Sequence, residues 1–299
     1  MKVLAIADIH LRGEGLGTPQ AEALDRTVQI VHERNVDLVV VAGDIFDTVS
    51  TASQRLAFKQ FLDSCLEQAE VLVVRGNHDQ RGDLSVYDGL SMDGHEVRVD
   101  ELPQYRAFAG LKTYSIPHCS TAKLAAVIDK KGEASELAKQ HLDQIVQEYA
   151  NDAARTTVPC IGVFHGVVSG AALDNGFIPR DNGLHLTSAQ LDKLGFPVIC
   201  GHYHKHQQVA EQAWYVGSPT RNSYGESDGD KGVMLFEHDG HRWLDPEFIS
   251  LNPEPMLLYE AIWREFDQLF WQWELSASSP SVDEHHSGQL WPLQRKANH

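Results

Sequence analysis

Cysteine is scarce, with four residues, Cys65, Cys119, Cys160 and Cys200, in a chain of 299. None forms a Cys-x-x-Cys pair, so neither a disulfide framework nor a thiolate-rich zinc site is expected. Cys160 and Cys200 lie in apolar runs and read as buried thiols. Long apolar runs are missing too: no stretch approaches the roughly 18 residues a membrane span requires. After Lys2 the next charge comes at Asp8, too early for the apolar segment of a signal peptide. The expectation is a cytoplasmic protein with no membrane partner. Positive charge is in deficit, with 25 Lys and Arg against 42 Asp and Glu and a formal net charge of −17. Such a chain has no global field to attract nucleic acid. Any phosphate it binds must be drawn by charge supplied locally, and bound metal ions are one such source. Internal repeats and low-complexity tracts are also lacking.

What is present suits a globular protein with a sizeable core: 42% apolar and 22% charged residues. The length allows one large domain or two modest ones. Short apolar runs at Val3–Ala7, Val36–Ala42, Val71–Val74, Val158–Phe164 and Phe196–Cys200 have strand length. Thr18–Asn35, Ala52–Ala69 and Glu133–Ala153 carry helical spacing, and Thr187 or Ser188 can cap a short helix through Leu194. The alternation predicts βα units around a largely parallel, buried sheet. Trp214–Glu237, punctuated by Gly217, Pro219, Gly225, Gly229 and Gly232, reads as hairpins. Beyond Pro255, an apolar stripe from Leu258 to Trp273 predicts one helix, and the Ser-, Pro-, His- and Gln-rich stretch from Ser276 reads as a mobile tail. The expected organisation is a main domain over 1–252 and a C-terminal helix with tail over 253–299.

The chemistry-bearing residues sit where the apolar runs end. Asp8 and His10 follow the first run, Asp44 the second, Asn77 and His78 the third, His165 the fourth, and His202 and His204 the fifth. In open α/β sheets, ligands bind beyond the carboxyl ends of strands. Spacing of i and i+2 in extended chain would aim Asp8 with His10, and His202 with His204, to one side. Glycines at 43, 76 and 201 would let the backbone turn beside them. Carboxylate and imidazole donors without thiolate suit manganese, iron or zinc. Each piece alone is weak, but the ordered set predicts a metal site.

The ordered pieces Asp8-x-His10, Gly43-Asp44, Gly76-Asn77-His78, His165 and Gly201-His202-x-His204 resemble the calcineurin-like metallophosphoesterase superfamily. That resemblance implies an α/β fold, a four-layer α/β/β/α sandwich, here with a short C-terminal helical extension. It implies two divalent metal ions, manganese first, with iron, zinc or magnesium as alternatives. Asp8, His10 and His204 would hold one, and Asn77, His165 and His202 the other. Asp44 would bridge them, a shared hydroxide would attack phosphorus, and His78 would be the catalytic histidine. Longer strings, Gly43-Asp-Ile-Phe-Asp-Thr48, Gly76-Asn-His-Asp79 and Gly217-Ser-Pro-Thr-Arg-Asn-Ser-Tyr-Gly-Glu226, look like the SbcD-type DNA repair exonuclease branch. The chain departs from its archaeal and eukaryotic members at Asp47, where they have a histidine. A DNA nuclease is the implied activity, with Arg75, Arg81 and Arg221 as candidate substrate contacts. A phosphodiesterase or phosphatase for small molecules or nucleotides is the alternative. The implied partners are DNA and an SbcC-type ATPase, or a second copy docked through the C-terminal helix. With so little chain after Pro255, the family's cap domain would be absent or reduced to one helix.

Overall fold

The computed structural model describes residues 1–13, 15–80, 82–108, 110–119, 134–179, 184–226 and 229–253. The chain runs β1 (Lys2–Ile6), α1 (Pro19–Arg34), β2 (Leu38–Val41), α2 (Ala52–Leu66), β3 (Glu70–Val74), β4 (Ser91–Met92), β5 (His95–Asp100), β6 (Gln104–Phe108) and β7 (Leu111–Ile116). It continues through α3 (Ala134–Ala153), β8 (Cys160–His165), β9 (Val167–Val168), β10 (His185–Leu186), α4 (Ser188–Asp192), β11 (Val198–Gly201), β12 (Gln207–Ala210), β13 (Ala213–Tyr215), β14 (Gly232–Glu237) and β15 (Glu247–Ser250). The chain divides into two units, Met1–Met256 and Leu257–His299, and the described residues all belong to the first. The expected C-terminal helix and tail therefore lie outside the described residues, apart from Pro253.

Helix starts follow local chemistry. Thr18 caps α1 by accepting from the Ala21 amide, Pro19 opens it, and Asn35 ends it at φ 51°. Thr51 and Gln54 close a reciprocal capping box on α2, as do Thr187 and Gln190 on α4.

Two mixed sheets form. One has the order β15-β14-β1-β2-β3-β5-β4, the other β12-β13-β11-β8-β7-β6. The central pairs β1–β2, β2–β3 and β3–β5, and β7–β8, β8–β11 and β11–β13, are parallel. Antiparallel strands close the edges.

Period-two alternation sorts the side chains into layers. Val3, Ala5, Leu38, Val40, Leu72 and Val74 pack against Ile161, Val163, Ile199 and Val216 between the sheets. From the alternate positions, Leu4, Ile6, Val39 and Val73 face outward onto Leu24, Val31, Phe58 and Leu62 of α1 and α2. Tyr114, Phe164 and Val198 face Leu142, Val146 and Tyr149 of α3 on the other side. The result is the expected α/β/β/α sandwich, because each strand of the central runs is apolar on both faces.

The hairpin reading of Trp214–Glu237 does not hold. β13 lies in the second sheet, paired with β11 and β12. β14 lies in the first, antiparallel to β1. The intervening glycines mark a crossover between sheets, and glycine punctuation looks the same for a return and for a crossing.

Candidate metal centre

The parallel strands β1, β2, β3, β8 and β11 end along one seam between the sheets. Loops after β1 and β2 run side by side, with the Asp8 amide donating to Gly43 O and the His10 amide to Asp44 O, both at 3.0 Å. The backbone departs from the extended form predicted for the Asp-x-His pair. Asp8, His10 and Asp44 stand at φ 53°, 51° and 53°, and His202 at 110°. Non-glycine residues avoid this region at a cost of about 1–3 kcal/mol each, and surrounding structure must hold them there. Gly43, at φ +92°, has no room for a Cβ, which would collide with the His165 ring. At Gly76 the reason is close approach rather than φ: a Cβ would strike the Asp44 carboxylate and amide.

The seam brings all seven predicted donors together. Oxygen or nitrogen atoms of Asp8, His10 and His204 lie within 4.8 Å of one another, as do those of Asp44, His165 and His202. Asn77 Oδ1 stands 3.0 Å from His165 Nε2 and 2.7 Å from His202 Nδ1. Asp8 also fixes the far loop, since both its carboxylate oxygens accept from the His202 amide, at 2.9 and 3.1 Å.

Tautomers follow from the outer partners. His165 Nδ1 donates to Ala42 O at 2.7 Å, so its Nε2 faces two acceptors, Asn77 Oδ1 and, at 3.5 Å, Asp44 Oδ1. His204 Nδ1 donates to Glu226 Oε1 at 2.9 Å, and its Nε2 faces His10 Nε2 at 3.0 Å. Where these nitrogens carry a proton they donate to the group they face; once the protons leave, their lone pairs point into shared space. Cations between them would turn repulsion into coordination, and an oxygen-and-imidazole donor set fits divalent ions. The residues therefore fit the group that the sequence implies.

The electrostatics are correspondingly divided. Burial pushes Asp8 up to about 6, against the pull of His165 and His204. Burial and the neighbouring His204 press His10 down to about 4. Burial and His165 press His202 down to about 3. His165 moves the other way, to about 9, because Asp44 and Asp8 outweigh its burial. Burial opposes ionisation of Asp44, yet His165 and the His78 amide hold its carboxyl well below the ordinary range.

Several residues around the donors have roles that no motif assigns. Asp79 is 2% exposed. Its carboxylate accepts from the amides of Asp44, Ile45 and Gly76 at 2.9 Å and Phe46 at 3.2 Å, tying the loop after β2 to the loop after β3. Glu226 accepts from His204, from the Asn222 amide at 3.1 Å and from the buried Lys231 ammonium at 2.7 Å. Lys231 also donates to Asp174 and to His204 O, each at 3.0 Å. Asp47 Oδ1 lies 3.1 Å from His10 Nδ1, and its carbonyl accepts from His78 Nδ1 at 2.7 Å. The His78 amide donates to Asp44 Oδ1 at 2.8 Å, and its ring meets that of His10 edge-on at 4.9 Å. His118 stacks 6.2 Å from the His202 ring.

Two of the three predicted substrate arginines are described, and each is held by a backbone carbonyl. Arg75 is 7% exposed and donates to His118 O at 2.8 Å. Arg221 donates to Pro253 O at 2.8 Å. Arg81 lies outside the described residues.

A family model, Calcineurin-like phosphoesterase, matches residues 1–206. The chain is 27% identical over 286 residues to the SbcD component of the SbcCD nuclease of Bacillus subtilis (strain 168), an alignment that covers 87% of this chain and 72% of that one. It is 26% identical over 269 residues to the same component from Staphylococcus saprophyticus, covering 85% and 69%. Its fold is similar to the solved structure of GAP50, the anchor in the inner membrane complex of Plasmodium, with a TM-score of 0.51 at 15% identity over 86% of this chain and 87% of that one.

Proposed function

This chain belongs to the calcineurin-like phosphoesterase family, and on that premise we propose that it is a dinuclear phosphodiesterase that cleaves DNA in the manner of an SbcD-type nuclease. Membership makes it a metal-dependent hydrolase; the substrate and the two-ion site are the finer reading. The observation that carries the reading is the convergence of oxygen and imidazole donors at one seam, with His10 Nε2 facing His204 Nε2 and His165 Nε2 facing Asn77 Oδ1, each at 3.0 Å. Asp8, His10 and His204 would hold one divalent ion, Asn77, His165 and His202 the other, and Asp44 both. Bound there, the ions, manganese first, supply Lewis acidity toward phosphoryl oxygens and a water acidic enough to act as nucleophile.

The chain's own groups do the rest. Asp44 keeps its charge because His165 and the His78 amide hold its carboxyl down against burial. His78 donates from Nδ1 to Asp47 O at 2.7 Å, which fixes the ring; with a second proton on Nε2, as an imidazolium, it would give that proton to the leaving oxygen and keep its Nδ1 bond. Glu226 holds His204 in the tautomer that presents Nε2. The names of the curated relatives support a nuclease that works with a second polypeptide. An SbcC-type ATPase is the partner we propose, docked through the Leu258–Trp273 stripe within a C-terminal helix and tail over 253–299, beside a main domain over 1–252.

The test is manganese-dependent digestion of linear DNA beside hydrolysis of bis-p-nitrophenyl phosphate, with His78→Ala in parallel. The proposal expects cleavage of both by the unsubstituted protein, and a fall in kcat of about 10²- to 10⁴-fold in the variant. Hydrolysis of the small diester with DNA left intact would favour the small-molecule reading, which the net charge of −17 also suits.

A further inference from the structure

Beside the candidate centre lies a cleft of about 420 Å³, lined among others by Arg12, Asp174, His202, His204, Asn222 and Glu226. Two of these residues have polar atoms with nothing to bind. Arg12 Nε is buried without a hydrogen-bond partner among the described residues, and so are both Nδ2 and Oδ1 of Asn222. Asn222 is only 9% exposed. Buried polar atoms left unpaired cost about 1–3 kcal/mol each, and these belong to two residues that line one cleft.

The charges in the cleft favour an anion. Its acids are already taken: Glu226 and Asp174 both accept from Lys231, at 2.7 and 3.0 Å. Arg12 is held loosely, by Asn222 O at 3.1 Å through Nη1 and by Asp47 Oδ1 at 3.5 Å through Nη2. With side chains 39% and 37% exposed, that ion pair is weak. A phosphate taken by the guanidinium fork would replace it with shorter, charge-assisted bonds.

The position of Arg12 indicates which phosphate. Its Nη2 reaches Asp47 Oδ1, and that oxygen lies 3.1 Å from His10 Nδ1. His10 presents its opposite nitrogen, Nε2, to the centre. An imidazole ring and a carboxylate thus stand between the guanidinium and the centre on the His10 side, while His202 and His204 line the same cleft, so an anion on Arg12 would sit beside one held at the centre.

We propose that Arg12 and Asn222 form a subsite for the phosphate adjoining the scissile one in a polynucleotide strand. The proposal rests on the nuclease reading and gives it a substrate preference: a chain with flanking phosphates over an isolated diester. It also gives the segment from Gly217 to Glu226 a role, because Asn222 both lines the subsite and holds Arg12.

The experiment compares the manganese-loaded protein with Arg12→Ala, Arg12→Lys and Asn222→Ala. Each is assayed on a short single-stranded oligonucleotide and on bis-p-nitrophenyl phosphate, which has no flanking phosphate. The ratio of the two kcat/KM values should fall by about tenfold or more in Arg12→Ala and in Asn222→Ala, mainly through KM on the oligonucleotide. Arg12→Lys should recover part of it. The salt dependence of oligonucleotide binding should flatten in Arg12→Ala by the slope of one phosphate contact, about 0.7 on a log–log plot for a single strand. An unchanged ratio and salt slope, with the oligonucleotide still cleaved, overturns the subsite alone. An oligonucleotide left intact by the unsubstituted protein overturns the nuclease reading and the subsite together.

Discussion

Replacing Asp79 by alanine tests how the loops that carry the candidate ligands are held. The side chain bonds to none of the candidate donor atoms, yet four backbone amides converge on it, those of Asp44, Ile45, Phe46 and Gly76. Burial pushes its carboxyl up to about 6, helped by Asp44 and opposed by the Gly76 and Phe46 amides, so at pH 8 it is ionised. Alanine leaves four buried N–H groups without an acceptor, each worth about 1–3 kcal/mol. Water entering the vacated space recovers some of that, and about 4 kcal/mol is a reasonable net loss. Against a total stability of about 5–15 kcal/mol, that is a large fraction. It corresponds to a fall in Tm of about 8–16 °C for a domain of this size. Urea unfolding and calorimetry at pH 8 on the metal-free protein would read it. Because Asp79 ties the Asp44 loop to the Gly76–Asn77 loop, manganese affinity should weaken in the same variant by about tenfold or more. A loss below about 1 kcal/mol with unchanged manganese affinity would refute the reasoning.

Other perturbations separate the parts of the account. His165 stands at about 9 in the metal-free protein, burial being outweighed by Asp44 and Asp8, so a bound ion must displace its proton. Manganese affinity measured by calorimetry should climb about tenfold per pH unit from 7 to 9 and level off above. Without metal the same raised value adds stability that is complete below the ordinary histidine pKa and is lost as pH rises through about 9. Glu226→Gln keeps the volume and removes the charge that orients His204, and should weaken manganese binding by about 10–100-fold. Leu72→Ala opens a cavity between the sheets, where Leu72 is fully buried, and should cost about 2–5 kcal/mol in urea unfolding while leaving manganese affinity within about twofold.

The layers and the donor set were legible because both rest on local rules. Runs such as Val71–Val74, apolar at every position, can only be strands covered on both faces. Strand ends are where an α/β fold gathers ligands, and the seam does bring Asp8, His10, Asp44, Asn77, His165, His202 and His204 together. The reason for the pairing of Asp8 with His10 was not legible: the expected extended geometry gives way to left-handed backbone at both residues. Asp79 and Glu226 could not be found by spacing, because what they do depends on amides and a histidine brought from distant loops. The matching Gly217–Glu226 string was the available signal for Glu226. Arginines chosen by proximity in sequence fared differently in space. Arg75 turns inward to hold the His118 carbonyl, whereas Arg12, two residues beyond His10, lines the open cleft. Strands β4 to β7, from Ser91 to Ile116, passed without a sequence expectation, since His95–Asp100 and Gln104–Phe108 alternate polar and apolar residues too weakly to stand out.

Anomalous diffraction at the manganese edge, from crystals grown with excess manganese, tests the central claim most directly. The account predicts two peaks about 3.5–4 Å apart, one ringed by Asp8, His10 and His204, the other by Asn77, His165 and His202, with Asp44 touching both. A single peak, or peaks away from these side chains, would contradict it.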